Sequence, residues 1–150
     1  MKYNEKIVSN ALTIRELATD ELARAFPVIS QLRPHLTLEE YVAMVKQMKE
    51  RGYQVICLFK NEQVLAYAGV VRRLNLYDGD HLWVDDLVTD ENNRGEGYGE
   101  LLLAAVETFA KENGLGCVAL SSGFQRQSAH KFYEKTMKYA KLSYLFKKDV

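Results

Sequence analysis

Along the chain, apolar and polar positions first alternate weakly over Ala11–Glu16, which predicts a short strand, and then take on a helical period. Thr19-Asp20 can cap a helix running toward Gln31, with Pro27 placed to kink or split it. Thr37-Leu38-Glu39-Glu40 has the form of a capping box. The helix it opens carries Leu38, Tyr41, Val42, Val45 and Met48 on one face and stops at Gly52. Tyr53–Lys60 and Gln63–Arg73 then read as a hairpin around Asn61-Glu62, and Asp78-Gly79 as a turn into a strand over His81–Val88. A polar loop, Thr89–Arg94, leads to Gly95, Gly97 and Gly99. The helix that follows has Leu102, Ala105, Val106 and Phe109 on one face and ends at Asn113-Gly114. Leu115–Ser121 reads as a short buried strand. Ala129, Phe132, Tyr133 and Thr136 mark one face of a last helix capped by Ser128, and Tyr139–Phe146 closes the chain as a strand. The order β-α-α-β-β-β-α-β-α-β describes an antiparallel meander followed by a crossover: a mixed α/β sheet, not a doubly wound one.

Composition narrows the class without naming an activity. The 150 residues suffice for one domain, and 47% apolar with 27% charged residues is globular usage. Twenty Lys and Arg balance twenty Asp and Glu, which argues against a sequence-independent nucleic-acid binder. The first ten residues mix both signs of charge and contain no apolar run. No signal peptide, membrane span or membrane partner is therefore expected, and the cytoplasm is the expected compartment. Cys57 and Cys117 sit in apolar runs of strand length and read as reduced packing residues. His35, His81 and His130 are scattered, so no metal site is expected.

The three alternating glycines are the sharpest signal. Between a strand and a helix, glycine lets the backbone approach a ligand, and the unpaired amides of the first helical turn favour an anion. Such a loop suits a phosphate or pyrophosphate, with Arg94 able to add a charge-assisted contact; a tight turn without a ligand is the alternative. A Walker loop would need Lys and Ser or Thr where Gly97-Tyr98-Gly99-Glu100 stands. A dinucleotide loop belongs in an N-terminal βαβ unit, whereas this one follows a meander.

Arg94-Gly95-Glu96-Gly97-Tyr98-Gly99 resembles Gln/Arg-x-x-Gly-x-Gly/Ala, the acetyl-CoA pyrophosphate loop of the GNAT superfamily of N-acetyltransferases. Val84-Asp85-Asp86-Leu87-Val88-Thr89 resembles that family's fourth strand. Ser128-Ala129-His130-Lys131-Phe132-Tyr133-Glu134-Lys135 resembles its Ala-x-x-Phe-Tyr-Glu-Lys helix. The likeness runs from about Leu12 onward and includes element order. It implies a GNAT-like fold, a mostly antiparallel twisted sheet with helices on both faces, in a single domain over residues 1–150. The implied co-substrate is acetyl-CoA, held by Leu87, Val88, Thr89, Arg94, Gly95, Glu96, Gly97, Tyr98, Gly99 and Glu100. Two positions depart from the pattern. Arg126 stands where the family usually has Asn, and Met137-Lys138-Tyr139 replaces Leu-Gly-Phe/Tyr. Lys138 must then adopt a left-handed conformation at some strain or end the helix differently.

Acetyl transfer to an alkyl amine needs a group that takes a proton, because on the order of one molecule in a thousand is neutral at pH 7. It also needs donors for the thioester oxygen and an acid for the leaving thiolate. Asp85 and Asp86 are successive strand residues and point to opposite faces unless a bulge intervenes. By resemblance Asp85 is the base, often acting through water; read alone, either aspartate is a surface carboxylate, and Asp86 reads as structural. Tyr133, read alone, is a core tyrosine with its hydroxyl bonded at the rim; the resemblance makes it the acid that protonates the departing sulfur. Backbone amides near Leu87 and Val88 would hold the thioester oxygen. Asp78, Asp80, Asp85 and Asp86 favour a cationic acceptor or are simply solvated turn acids, and Gln31–His35 would flank the acceptor by family analogy. The expectation is therefore an N-acetyltransferase acting on a primary amine of a small cationic molecule, by direct attack in a ternary complex. Acetylation of a protein N-terminus or lysine, and a non-catalytic acyl-CoA-binding module, are the rivals. Family habit implies a homodimer, although the sequence marks no interface.

Overall fold

A computed structural model describes all residues, Met1–Val150. The chain forms two compact units, Met1–Ala119 and Leu120–Val150. Six strands form one sheet in the order β1 (Lys6–Ile7), β2 (Leu12–Glu16), β3 (Gln54–Lys60), β4 (Gln63–Asn75), β5 (Gly79–Thr89) and β6 (Val118–Leu120). Each of the first four pairs antiparallel with the next, and β6 lies beside β5. The β3–β4 turn is made by Asn61 in the left-handed region, which a short polar side chain tolerates. Asp78-Gly79 closes β4 to β5, with the Asp78 amide donating to Asn75 Oδ1 at 2.7 Å.

Side-chain alternation divides the core. Val55, Cys57 and Phe59 of β3 and Tyr67 of β4 lie in one cluster with Leu22, Val28, Ile29, Tyr41 and Val45. These last residues belong to the segment leading into α1 (Phe26–Leu32), to α1 itself and to α2 (Leu38–Glu50). The intervening Ile56, Leu58, Ala66 and Ala68 are fully buried and must face the other way, toward α3 (Tyr98–Glu112) with its buried Leu102, Leu103, Val106 and Phe109. Thr37 caps α2, accepting from the Glu40 amide while Glu40 accepts from the Thr37 amide. Pro27 sits in the first turn of α1, which begins as a separate helix after a 3₁₀ segment, Thr19–Arg24. The split falls there because proline cannot supply the amide a continuous helix would need.

The second unit departs from expectation at its end. Residues 138–150 form neither strand nor helix, and Leu142, Tyr144, Leu145 and Phe146 are exposed. An apolar pattern names a face, but a strand also needs a neighbouring ladder for its amides and carbonyls, and none is made here. The preceding helix, α4 (Gln127–Lys131), has Arg126 rather than Ser128 at its cap. Beyond it the helix widens over Phe132–Thr136, the Met137 amide donating five residues back to the Phe132 carbonyl at 2.9 Å. Lys138 takes φ 63°, the left-handed turn that glycine usually makes.

Candidate active site

The pairing of β4 with β5 slips by one residue between Gly69 and Val70. Gly69 lies opposite Asp86 and Val70 opposite Val84, so Asp85 is the extra residue of a β-bulge. An unbroken strand would send the two carboxylates to opposite faces; the bulge changes their phase and lets them act on one another. Asp85 stands near Arg73, 3.6 Å from its guanidinium, while Arg73 lies 4.5 Å over the Trp83 ring. Burial, and then the adjacent Asp86 charge, push the Asp85 carboxyl above the usual aspartate range. Arg73, a Trp83 hydrogen bond and Arg33 oppose the shift. A raised proton affinity in a partly covered carboxylate is what a general base for an ammonium requires.

Asp86 is tied on both oxygens. Arg33 Nε donates to Oδ1 at 2.9 Å and the Tyr53 hydroxyl to Oδ2 at 2.7 Å. Tyr53 also meets Tyr67 at 3.1 Å, and Tyr41 donates to Tyr67 at 3.1 Å, so a chain of buried hydroxyls ends on this carboxylate. Tyr53 reaches Asp86 by crossing the backbone of Gly69, where a Cβ would come within 1.8 Å of the hydroxyl.

Thr89 ends β5, and the loop to α3 is anchored by buried Asp90. Its Oδ1 accepts from Gln31 Nε2 at 2.8 Å and its Oδ2 from Asn93 Nδ2 at 2.6 Å; its amide donates to Leu65 O at 2.8 Å. Gln31 Oε1 takes the Glu91 amide in turn. The Gln31 hydrogen bond leads the causes that hold the Asp90 carboxyl below its usual range. Past Arg94, Gly95 and Gly97 adopt φ 85° and 81°, and no atom lies within 4 Å of where either Cβ would stand. Gly97 caps α3, leaving the amides of Tyr98, Gly99 and Glu100 in its first turn. An open, left-handed glycine backbone at the positive end of a 15-residue helix, with Arg94 beside it, fits a pyrophosphate. Leu87 and Val88, both buried, follow the bulge directly.

In the second unit, Tyr133 is 8% exposed and packs against the rings of Phe132 and Tyr139. Burial raises its pKa, opposed by the charge and hydrogen bond of Arg126, so its hydroxyl is protonated at neutral pH. Arg126, which replaces the usual Asn, is thus the polar neighbour of this tyrosine.

The family model for the acetyltransferase (GNAT) family matches residues 15–139, from β2 through the Tyr133 segment. The chain belongs to the GNAT family. It is an acyltransferase, and family members use acetyl-CoA, which the glycine loop fits. An uncharacterized N-acetyltransferase, YhdJ of Bacillus subtilis (strain 168), is 39% identical over 132 residues, 87% of this chain and 93% of that one. The aminoglycoside N-acetyltransferase AAC(6')-Iy in complex with CoA superimposes with a TM-score of 0.81 at 13% identity, over 96% of this chain and 99% of the other. An aminoglycoside acetyltransferase, meta-AAC0020, from an uncultured soil metagenomic sample, in complex with sisomicin, gives 0.79 at 17% identity over the same shares. At those identities the two structures speak for the GNAT fold alone.

No linear motif in the sequence marks Arg33, Tyr53, Gly69 or Asp90 for these roles. The family likeness puts Gln31–His35, and so Arg33, beside the acceptor, but nothing in a linear pattern pairs residue 33 with residue 86. Of the acidic run, Asp80 is bound by Arg72 and Asp86 by Arg33, which leaves Asp85 with the looser partner at 3.6 Å.

Proposed function

We propose that this GNAT enzyme transfers the acetyl group of acetyl-CoA to a primary amine of a small cationic molecule by direct attack in a ternary complex. The observation that carries the reading is the bulge at Asp85, a partly buried carboxylate of raised proton affinity on the same strand as, and just before, Leu87 and Val88. Acetyl-CoA supplies an activated acyl group; the residues of the chain handle the protons and the charge. Asp85 takes a proton from the acceptor ammonium, directly or through water, freeing the nitrogen lone pair. The N–C bond forms as the C–S bond breaks, and amides near Leu87 and Val88 stabilise the carbonyl oxygen; the proton for the sulfur is assigned to the Tyr133 hydroxyl by likeness to the family's Phe-Tyr helix alone. Gly95, Gly97 and the first turn of α3 hold the pyrophosphate with Arg94.

A small cationic acceptor follows from two considerations. Arg73, at 3.6 Å, is a loose partner that an incoming ammonium can replace at Asp85. The aminoglycoside acetyltransferases among the fold's neighbours are named for polycationic amines. The cytoplasm and a homodimer remain part of the same proposal. A thiol-release assay across a panel of polyamines, aminoglycosides, amino acids and amine-bearing peptides tests it. Turnover with small polycations and none with peptides is the expected result. Peptide turnover alone would transfer the activity to protein acetylation, and CoA binding without turnover would reduce the chain to a binding module.

A further inference from the structure

We propose that Arg33 is a positioning residue for this reaction: through the Asp86 carboxylate and the Asp85 carbonyl it fixes the β5 bulge, and thereby the direction in which Asp85 meets the acceptor amine. The inference rests on Asp85 being the base. A bulge removes ladder bonds where the extra residue stands, so its main chain needs another partner to hold one geometry. Arg33 provides it. Its terminal nitrogen donates to the Asp85 carbonyl at 3.0 Å while Nε donates to Asp86 at 2.9 Å, so one planar guanidinium joins both residues of the bulge. On the other side the Tyr53 hydroxyl, passing over Gly69, holds the second Asp86 oxygen. The bulge is therefore clamped by Tyr53, just before β3, and by Arg33, just after α1.

Stability alone gives little reason for this arrangement. The Arg33 side chain is 41% exposed against 12% for Asp86, and an ion pair with one partner so open adds little to stability. Direction is what the fork adds, and the segment that supplies it also carries Gln31, bonded to Asp90 and the Glu91 amide at the entrance to the glycine loop. The end of α1 thus registers the acceptor-side carboxylates against the cofactor loop. Four groups face Asp85: Asp86 and the Trp83 indole from β5, Arg73 from β4, and Arg33 from beyond α1. Removing the Arg33 charge should raise the proton affinity of Asp85, and removing the Asp86 charge should lower it.

The experiment measures thiol release against pH for Arg33→Met, Arg33→Lys, Asp86→Asn and Asp85→Asn, with calorimetric CoA titration and thermal midpoints alongside. Arg33→Met should lower kcat on the order of 10²-fold, as a misplaced catalytic group does, with CoA affinity unchanged. Its acid limb should move to higher pH, whereas that of Asp86→Asn moves to lower pH. Arg33→Lys should restore only part of the rate, because one ammonium cannot serve both oxygens. Wild-type kcat and acid limb in Arg33→Met would overturn the proposal, as would a rate loss with an unmoved limb that merely follows the thermal midpoint. Asp85→Asn separates this failure from that of the underlying reading. Wild-type behaviour there removes the base assignment itself, and the positioning role with it.

Discussion

Gly69→Ala adds one methyl group to the middle of β4, a change that strand propensity alone would favour. The structure makes it one of the most damaging small substitutions available. The new Cβ would stand 1.8 Å from the Tyr53 hydroxyl, 2.4 Å from Cζ and 2.7 Å from Cε2, all far inside contact distance. Tyr53 is buried, so its ring must be displaced together with its hydrogen bonds to Asp86 at 2.7 Å and Tyr67 at 3.1 Å. Losing a hydrogen bond to a carboxylate costs about 1.5–3 kcal/mol and a neutral one about 1 kcal/mol. Overpacking adds about 1–3 kcal/mol. A total near 3–5 kcal/mol is expected after partial relaxation, which for a chain of this size lowers the thermal midpoint by roughly 10 °C. Denaturant unfolding of Gly69→Ala, Tyr53→Leu and the double variant measures the coupling. Leucine removes Cζ and the hydroxyl, so in that background the alanine should cost less than about 1 kcal/mol. A single Gly69→Ala variant within about 0.5 kcal/mol of the wild type would refute the packing argument, and the need for glycine opposite Asp86 with it.

The remaining expectations concern the loop, the base and the acid. Gly97→Val should weaken acetyl-CoA binding severely in a folded protein, because a branched side chain is strained at φ 81° and would project into the open space beside the loop; unchanged calorimetric affinity would place the pyrophosphate elsewhere. Asp85→Asn should slow turnover below the amine's pKa and recover at high pH, where the free amine needs no base. The same variant should be more stable than the wild type at neutral pH. Because the folded pKa of Asp85 is raised, the folded state holds its proton more tightly, and stability falls as pH rises from the unfolded value of 3.8 through the folded one. Thermal midpoints should therefore converge at pH below the unfolded value and separate above it; the opposite order would mean that the carboxylate is stabilised in the fold. Tyr133→Phe should lower kcat by about 10²–10⁴-fold with little change in acetyl-CoA affinity, whereas a normal kcat with a lowered midpoint would make Tyr133 a packing residue only.

Much of this fold could be read locally. The capping box at Thr37, the split at Pro27, the turn at Asp78-Gly79 and the apolar face of α3 depend on residues a few positions apart, and the structure realises each of them. The glycine loop was legible for the same reason, since strand, glycines and helix follow one another directly. Of the two endings open at Lys138, a left-handed residue or a different helix end, the structure takes the left-handed one. The closing strand over Tyr139–Phe146 does not form, because an alternating pattern cannot supply the ladder that a strand requires.

The arrangement around Asp85 was decided only in three dimensions. The sequence shows two adjacent aspartates and leaves their faces open, since their phase depends on how many residues of β5 are counted against β4. One unpaired residue changes that count, gives Asp85 and Asp86 different partners, and leaves the Asp85 carbonyl to accept from Arg33. The partners of the clamp come from positions 33, 53, 69 and 86, brought together by a sheet register and the end of a helix. Local propensity and periodicity act over one or two turns of chain and therefore determine elements. Register, charge pairing and the crossing of Tyr53 over a bare glycine are set by contacts between distant segments, and no single stretch of sequence contains them.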